Sequence, residues 1–448
     1  MNINQEFETI AAISTPIGTG GVGVIRISGD RSFDVIKKIS NKTEFPAGKI
    51  CHGWIMDNGI KIDEVVILPF KNPNSYTGED VIEIQCHGGV NVVRNILDVV
   101  LKNGARIAER GEFTKRAFLN KKLDLSQAEA VDDLIHAKTS NFAIQSAKNL
   151  SGVLASKINE IKGEIFETAS RIVAGIDFPE DVAEPEYSYL NEKFEHSLTE
   201  INRILACAKS SDILRQGIKV AIVGRPNVGK SSLFNALLNI DRAIVTDIAG
   251  TTRDVIKENL ELGVGITLID TAGIRDCDEI DKVEEIGIEY SKQSANDADL
   301  ILFLYDSSVG FTDEDREIYN FVKDKPNIII ANKIDLLPEN KINTDKETIK
   351  ISTVLNRGID ELKVKIKDIV CDFSPEDTEF ITNKRQQACL LKCKESLERA
   401  LKASKKEELQ DMIYIDVKSA LLSLDEITGE VITDEILNNI FDHFCIGK

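Results

Sequence analysis

Gly224-Arg225-Pro226-Asn227-Val228-Gly229-Lys230-Ser231 constrains this chain more than any other stretch. It follows the apolar run IKVAIVG and precedes SSLFNALLN, so a strand enters a glycine-rich turn and a helix leaves it. In such a loop the glycines let backbone N–H groups turn inward around phosphates. Lys230 reaches the β- and γ-oxygens and Ser231 is placed to ligate magnesium. The loop needs a sheet behind it, and residues 218–371 supply one: IKVAIVG, ITLID, LILFLYD, NIIIANK and TIKIS alternate with helical segments. Continuous apolar strands in a βα rhythm predict a parallel sheet covered on both faces, a Ras-like α/β domain.

Three more pieces arrive in order. Asp270-Thr271-Ala272-Gly273 closes a strand, which puts Asp270 near the magnesium and the Gly273 amide near the γ-phosphate. Asn332-Lys333-Ile334-Asp335 closes another, where a carboxylate can accept both N–H groups of guanine. Adenine offers no such paired donor, so Asp335 selects GTP. Ser352-Thr353 is the weaker last element, beside the guanine oxygen. Between the first two pieces lies Thr246-Asp247-Ile248-Ala249-Gly250-Thr251-Thr252-Arg253, where a switch segment must reach the γ-phosphate and Thr252 is the natural second magnesium hydroxyl. Ile274 stands where a Ras-like enzyme carries a water-orienting Gln, so that role falls elsewhere. Arg253 and Arg275 are candidate arginine fingers, and equally ordinary surface arginines.

At 448 residues the chain has room for about three domains. Residues 1–120 read as α+β: TIAAIST, VGVIRIS, EVVILPF and VIEIQC are strand-like, and VNVVRNILDVVLKNG is a helix stopping at Gly104. Leu150, Leu154, Ile158, Ile161, Ile165, Ile172 and Ile176 form one buried helical stripe. Helical sequence flanks the α/β unit on both sides, so 121–212 and 374–448 are expected to form one bundle carrying 213–373 as an insertion. The expected class is therefore multidomain α/β and α+β. Hydrophobic residues at 42% exclude a disordered chain, and no run approaches the roughly 18 apolar residues of a membrane span. MNINQEFETI has no signal-peptide pattern, so reduced thiols and a cytoplasmic location are expected. Cys51-His52 and Cys86-His87 are a remote zinc candidate, since adjacent ligands at both ends are not the usual spacing. A net charge of −19 limits any RNA contact to a local patch. The candidate is Lys102, Arg106, Arg110, Lys115, Arg116, Lys121 and Lys122, equally readable as a solvated helix face.

GGVGVIRISG (20–29), PNSYTGEDVIEIQCHGG (73–89), RGEFTKRAFLNKKLDLSQAEAV (110–131), the GTPase motifs and LDEITGEVITDEILNNIFDHFCIGK (424–448) together resemble the bacterial tRNA-modification GTPases of the MnmE (TrmE) family, end to end. The resemblance implies GTP contacts from Asn227, Val228, Gly229, Lys230, Ser231 and Ser232, and from Thr246 through Thr252. It also implies contacts from Asp270, Thr271, Ala272 and Gly273, from Asn332, Lys333 and Asp335, and from Ser352 and Thr353. It implies Mg2+ on Ser231 and Thr252. A K+ ion held by Asn227, Thr246, Ile248 and Thr251 would replace an arginine finger, and Glu284 would position the attacking water. It further implies an N-terminal domain that dimerises and binds 5-formyl- or methylene-tetrahydrofolate through Arg26, Glu83, Lys122 and Lys448. The expected partners are tRNA and an FAD-dependent protein of the MnmG (GidA) type, which together add an aminomethyl-type group at C5 of the wobble uridine. Cys445 is a candidate near the folate carbon; Gly447 and Lys448 argue against a prenylation tail. The alternatives are a ribosome-assembly switch of the Era or Der type, which would want an RNA-binding appendage such as a KH GXXG pair, and a G domain that only scaffolds dimers.

Overall fold

The computed structural model describes residues 8–137, 139–240, 257–261, 265–270, 298–337, 348–373 and 382–448, which group into two compact units. The first takes in residues 8–132, 147–202 and 388–448. Its strands are β1 (Ile10–Ile13), β2 (Gly20–Ser28), β3 (Cys51–Asp57), β4 (Ile60–Phe70), β5 (Val81–Gly88) and β6 (Arg106–Ile107). They run in the order β3-β4-β5-β2-β1-β6, antiparallel except for the β1–β6 pair. Alternation divides the sheet into two faces. Ala11, Ile25, Ile27, Ile67 and Ile84 are buried with Val35, Ile36, Ile96 and Val100 of helices Ser32–Ile39 and Val90–Lys102. Ile10 and Ala12 cluster instead with Phe113. β3 escapes the sequence pattern because Gly53 and exposed His52 interrupt its apolar alternation. Burial pushes the Cys86 thiol up to about 11, and among the described residues no group of three His, Cys, Asp or Glu side chains could hold a metal. The zinc candidate is thereby set aside.

The helices of this unit include Val153–Asp177, Tyr187–Ala206 and Gln410–Thr428. The single stripe expected from Leu150 to Ile176 is two helices, because Gly152 at φ +93° separates Ser140–Leu150 from Val153–Asp177. Lys162 ties the long helix to Asp425 and Glu430, each at 2.6 Å. Residues 445–448 lie against the N-terminal sheet. Ser14 Oγ donates to the Gly447 carbonyl (3.2 Å), the Phe113 amide donates to the Lys448 carbonyl (3.2 Å), and Ile446 bridges Arg110. Gly447 sits at φ +96°, and any Cβ there would collide with the Ile13 carbonyl, so only glycine fits.

Within the basic cluster, Lys102, Arg110, Lys121 and Lys122 are exposed, but Arg106, Lys115 and Arg116 are engaged by their own fold. Arg116 is only 3% exposed and donates to both Glu79 oxygens (3.1 Å each), to Glu112 (2.8 Å) and to the Glu8 carbonyl (2.8 Å). Arg106 holds Glu112 through two nitrogens, and Lys115 donates to Asn438. Arg106 and Arg116 neutralise Glu112, and Arg116 also neutralises half-buried Glu79. Burial alone would push Glu112 up, but Arg106, the Glu109 amide and Arg116 hold it below the ordinary carboxylate range. Its share of stability is therefore full at neutral pH and lost only as pH falls through that depressed value. Arg116→Leu, which takes the buried cation from Glu79 and Glu112, is expected to cost about 3–5 kcal/mol in urea denaturation at pH 7. A loss under 1 kcal/mol would contradict the account.

The second unit comprises the described residues of 133–146 and 203–387. Its strands are β7 (Ile218–Val223), β8 (Lys257–Glu261), β9 (Gly265–Asp270), β10 (Leu300–Asp306), β11 (Asn327–Asn332) and β12 (Ile349–Lys350). The order is β12-β11-β10-β7-β9-β8, parallel except for the antiparallel β8. β10 is buried throughout: Leu300, Leu302 and Leu304 join one core, Ile301, Phe303 and Tyr305 the other. That is the two-sided burial its sequence predicts. β8, with the sequence KENLE, has too few apolar residues to announce itself and lies at the sheet edge. Among the described residues no helix is long and apolar enough to cross a membrane.

Candidate active site

Strands β7, β10 and β11 deliver their carboxyl ends to one edge of the parallel sheet, where ligands of such folds bind. The loop after β7 turns into helix Lys230–Ile240, which carries Ser231 and Ser232 in its first turn. Two glycines are demanded by contact: a Cβ on Gly224 would collide with the Leu304 carbonyl, and one on Gly229 (φ +103°) with the Asn332 amide. Lys230 Nζ donates to the Gly224 and Arg225 carbonyls, each at 2.9 Å, so its ammonium is held at the mouth of its own loop.

The loop after β11 grips this one directly. Asn332, fully buried, donates through Nδ2 to the Val228 carbonyl (2.9 Å), and its Oδ1 accepts the Thr353 amide (3.3 Å). Lys333 Nζ donates to the Asn227 carbonyl (2.8 Å). In a trans peptide a carbonyl and the following N–H point opposite ways. With the Asn227 and Val228 carbonyls drawn toward Lys333 and Asn332, the Val228 and Gly229 amides face the other side of the loop, a ready nest for an anion. Asn227 reaches this shape in a left-handed conformation at φ +62°. Asp335 Oδ1 accepts the Ser352 hydroxyl at 2.6 Å, which fixes the plane of the carboxylate. Asp270 ends β9, level with Ile222 of β7.

In the first unit, Arg26 Nε donates to Glu83 Oε1 at 2.8 Å across the β2–β5 register. The Arg26 guanidinium lies over the Tyr76 ring at 5.2 Å and the Phe113 ring at 5.6 Å. Burial, then the Arg26 charge, lowers the Lys448 amine below the usual lysine range. Arg26 and Glu83 both act on the Lys448 amine, which brings the three charged groups together, and exposed Cys445 lies three residues before Lys448. Lys122 instead donates to the Pro73 carbonyl (3.1 Å). Tyr76 and Phe113 are additions to the residues read from sequence; their one prior signal was their position inside the quoted segments.

Two family descriptions match: "GTP-binding protein TrmE N-terminus" over residues 9–122 and "MnmE helical domain" over residues 125–445. Proteins named tRNA modification GTPase MnmE are similar over the full length. That of Thermoanaerobacter pseudethanolicus is 45% identical across 99% of this chain and 100% of its own. That of Clostridioides difficile is 45% identical across 98% and 99%. The chain belongs to the MnmE family of tRNA modification GTPases. A crystal structure of Aquifex aeolicus Era bound to GDP.AlF4- shares 33% identity over 40% of this chain and 66% of that one, with a TM-score of 0.27, too low to equate folds.

Thr246, Asp247, Ile248, Ala249, Gly250, Thr251, Thr252, Thr271, Ala272, Gly273 and Glu284 lie outside the described residues, as do Arg253, Ile274 and Arg275. For the described part, the geometry sets one expectation for this MnmE-family chain. Asp335→Asn should weaken GTP relative to xanthosine triphosphate, whose C2 carbonyl an amide can face, by at least tenfold in competition titrations. An unaltered GTP preference would remove Asp335 from base recognition.

Proposed function

We propose that this chain is a potassium-dependent GTP hydrolase. Its turnover drives addition of a carboxymethylaminomethyl or aminomethyl group to C5 of the wobble uridine of certain tRNAs, together with an FAD-dependent protein of the MnmG type. The observation that carries the reading is the hold of Asn332 and Lys333 on successive carbonyls of the Gly224–Ser231 loop, which links base selection to phosphate binding. Family matches over 9–122 and 125–445 favour it over an Era- or Der-type switch. In this reading, residues 1–120 form a dimerising domain, 121–212 with 374–448 the helical domain, and 213–373 an inserted GTPase domain.

The residues suit the groups they would hold. Ser231 in the first helical turn, with Thr252, would ligate Mg2+. The left-handed backbone of Asn227 belongs to the loop that would contribute its side chain to K+, with Thr246, Ile248 and Thr251 completing the site. Bound there, the cation supplies positive charge against that developing on the phosphates. Glu284 would orient the attacking water. In the N-terminal domain, two cations and one carboxylate match a tetrahydrofolate: Glu83 accepts ring N–H groups, while Arg26 and Lys448, joined by Lys122, bind carboxylates. Cys445 would lie beside the one-carbon unit.

Hydrolysis should be at least tenfold faster in KCl than in NaCl at equal ionic strength; equal rates would reject the cation assignment. Mass spectrometry of wobble uridines from cells lacking this protein should show the C5 group missing, and a normal pattern would sink the tRNA reading.

A further inference from the structure

Asp306 is the last residue of β10, the central strand, opposite Asn332 in the parallel register. It is 8% exposed, and both of its carboxylate oxygens are used. Oδ1 accepts the Ser308 amide (2.9 Å) and hydroxyl (2.6 Å), which anchors the carboxylate to the turn that follows β10. Oδ2 accepts Lys333 Nζ at 2.7 Å. That same ammonium donates to the Asn227 carbonyl at 2.8 Å. Lys333 itself stands at φ +64°, in the left-handed region, so its backbone alone does not dictate where a long flexible side chain goes.

We propose that Asp306 is a positioning residue for nucleotide binding: by holding the Lys333 ammonium against the Asn227 carbonyl, it keeps the Val228 amide aimed into the phosphate loop. A lysine side chain has several rotatable bonds, and one carbonyl is a weak restraint on it. A buried carboxylate fixed by Ser308 is a strong one. Burial on its own would raise the Asp306 carboxyl, yet Lys333 and Ser308 hold it below the ordinary Asp value, so it is charged at neutral pH. The end of β10 therefore braces two loops that come from the strands on either side of it. This role rests on the nucleotide-site reading but adds a residue that touches neither base nor phosphate.

The test is a double-mutant cycle on the full chain, read by equilibrium titration with a fluorescent GDP. Asp306→Asn should weaken GDP about tenfold, the loss of one charge-assisted restraint. The double variant Asp306→Asn, Lys333→Met should bind no more weakly than Lys333→Met alone. Ser308→Ala, which leaves the Lys333 contact in place, should cost less than half as many fold as Asp306→Asn. Multiplying effects in the cycle, wild-type affinity in Asp306→Asn, or a Ser308→Ala loss equal to that of Asp306→Asn would each overturn the proposal. A wild-type chain that retained no GDP would sink the site reading itself. Should Asp306→Asn not be recovered folded, Asp306→Glu, which displaces the charge by one methylene, takes its place in the same cycle with the same outcomes.

Discussion

A phosphate loop works only if its amides face inward, and nothing within the loop guarantees that. Here the orientation comes from outside, through two side chains that pull the Asn227 and Val228 carbonyls the other way. Because a peptide plane is rigid, fixing one end of it fixes the other. The parallel sheet, the close approach at Gly224 and Gly229, and the burial of Asn332 all serve to bring the two loops within hydrogen-bond reach. Without the sheet the motif would be a flexible glycine turn.

The N-terminal unit solves a different problem with the same economy of contacts. Its sheet covers one face with helices and leaves Arg26 and Glu83 on the other, in register on adjacent strands. A guanidinium there loses water, and the rings of Tyr76 and Phe113 together with the Glu83 carboxylate replace that hydration. The guanidinium is thus oriented by its own fold. Elsewhere in the same unit, Arg106 and Arg116 perform the opposite service, using cations to quiet buried Glu112 and half-buried Glu79.

Much of this was legible in residue order because the strongest signals are local. A strand, a glycine turn and a helix start are contiguous, so the Gly224–Ser231 loop could be read outright, as could the largely apolar β10 and β11. Edge strands were harder. β3 and β8 are half-exposed or polar, and their identity comes from a neighbour's backbone rather than from their own pattern. The split at Gly152 was invisible to periodicity, since the apolar spacing continues across it while the backbone does not. The basic run from Lys102 to Lys122 was ambiguous for a related reason. Charge along a chain says nothing of where the counter-charges sit, and Glu8 and Glu79 come from elsewhere in the sequence. Asp306 was overlooked in the same way: an acid at the end of a buried strand looks like a solubilising terminus until Lys333 is found beside it.

The bond from Ser14 to the Gly447 carbonyl spans 433 positions. A ribosome releases Arg26 and Glu83 early, and their strands can pair at once, whereas Lys448 emerges only after the intervening helices and the nucleotide-binding unit have been made. The N-terminal sheet can thus form, its Arg26 guanidinium already set against Tyr76 and Phe113, before the Ser14–Gly447 contact closes. Closure is a loop-closure event of high contact order, slow compared with the local pairing that precedes it.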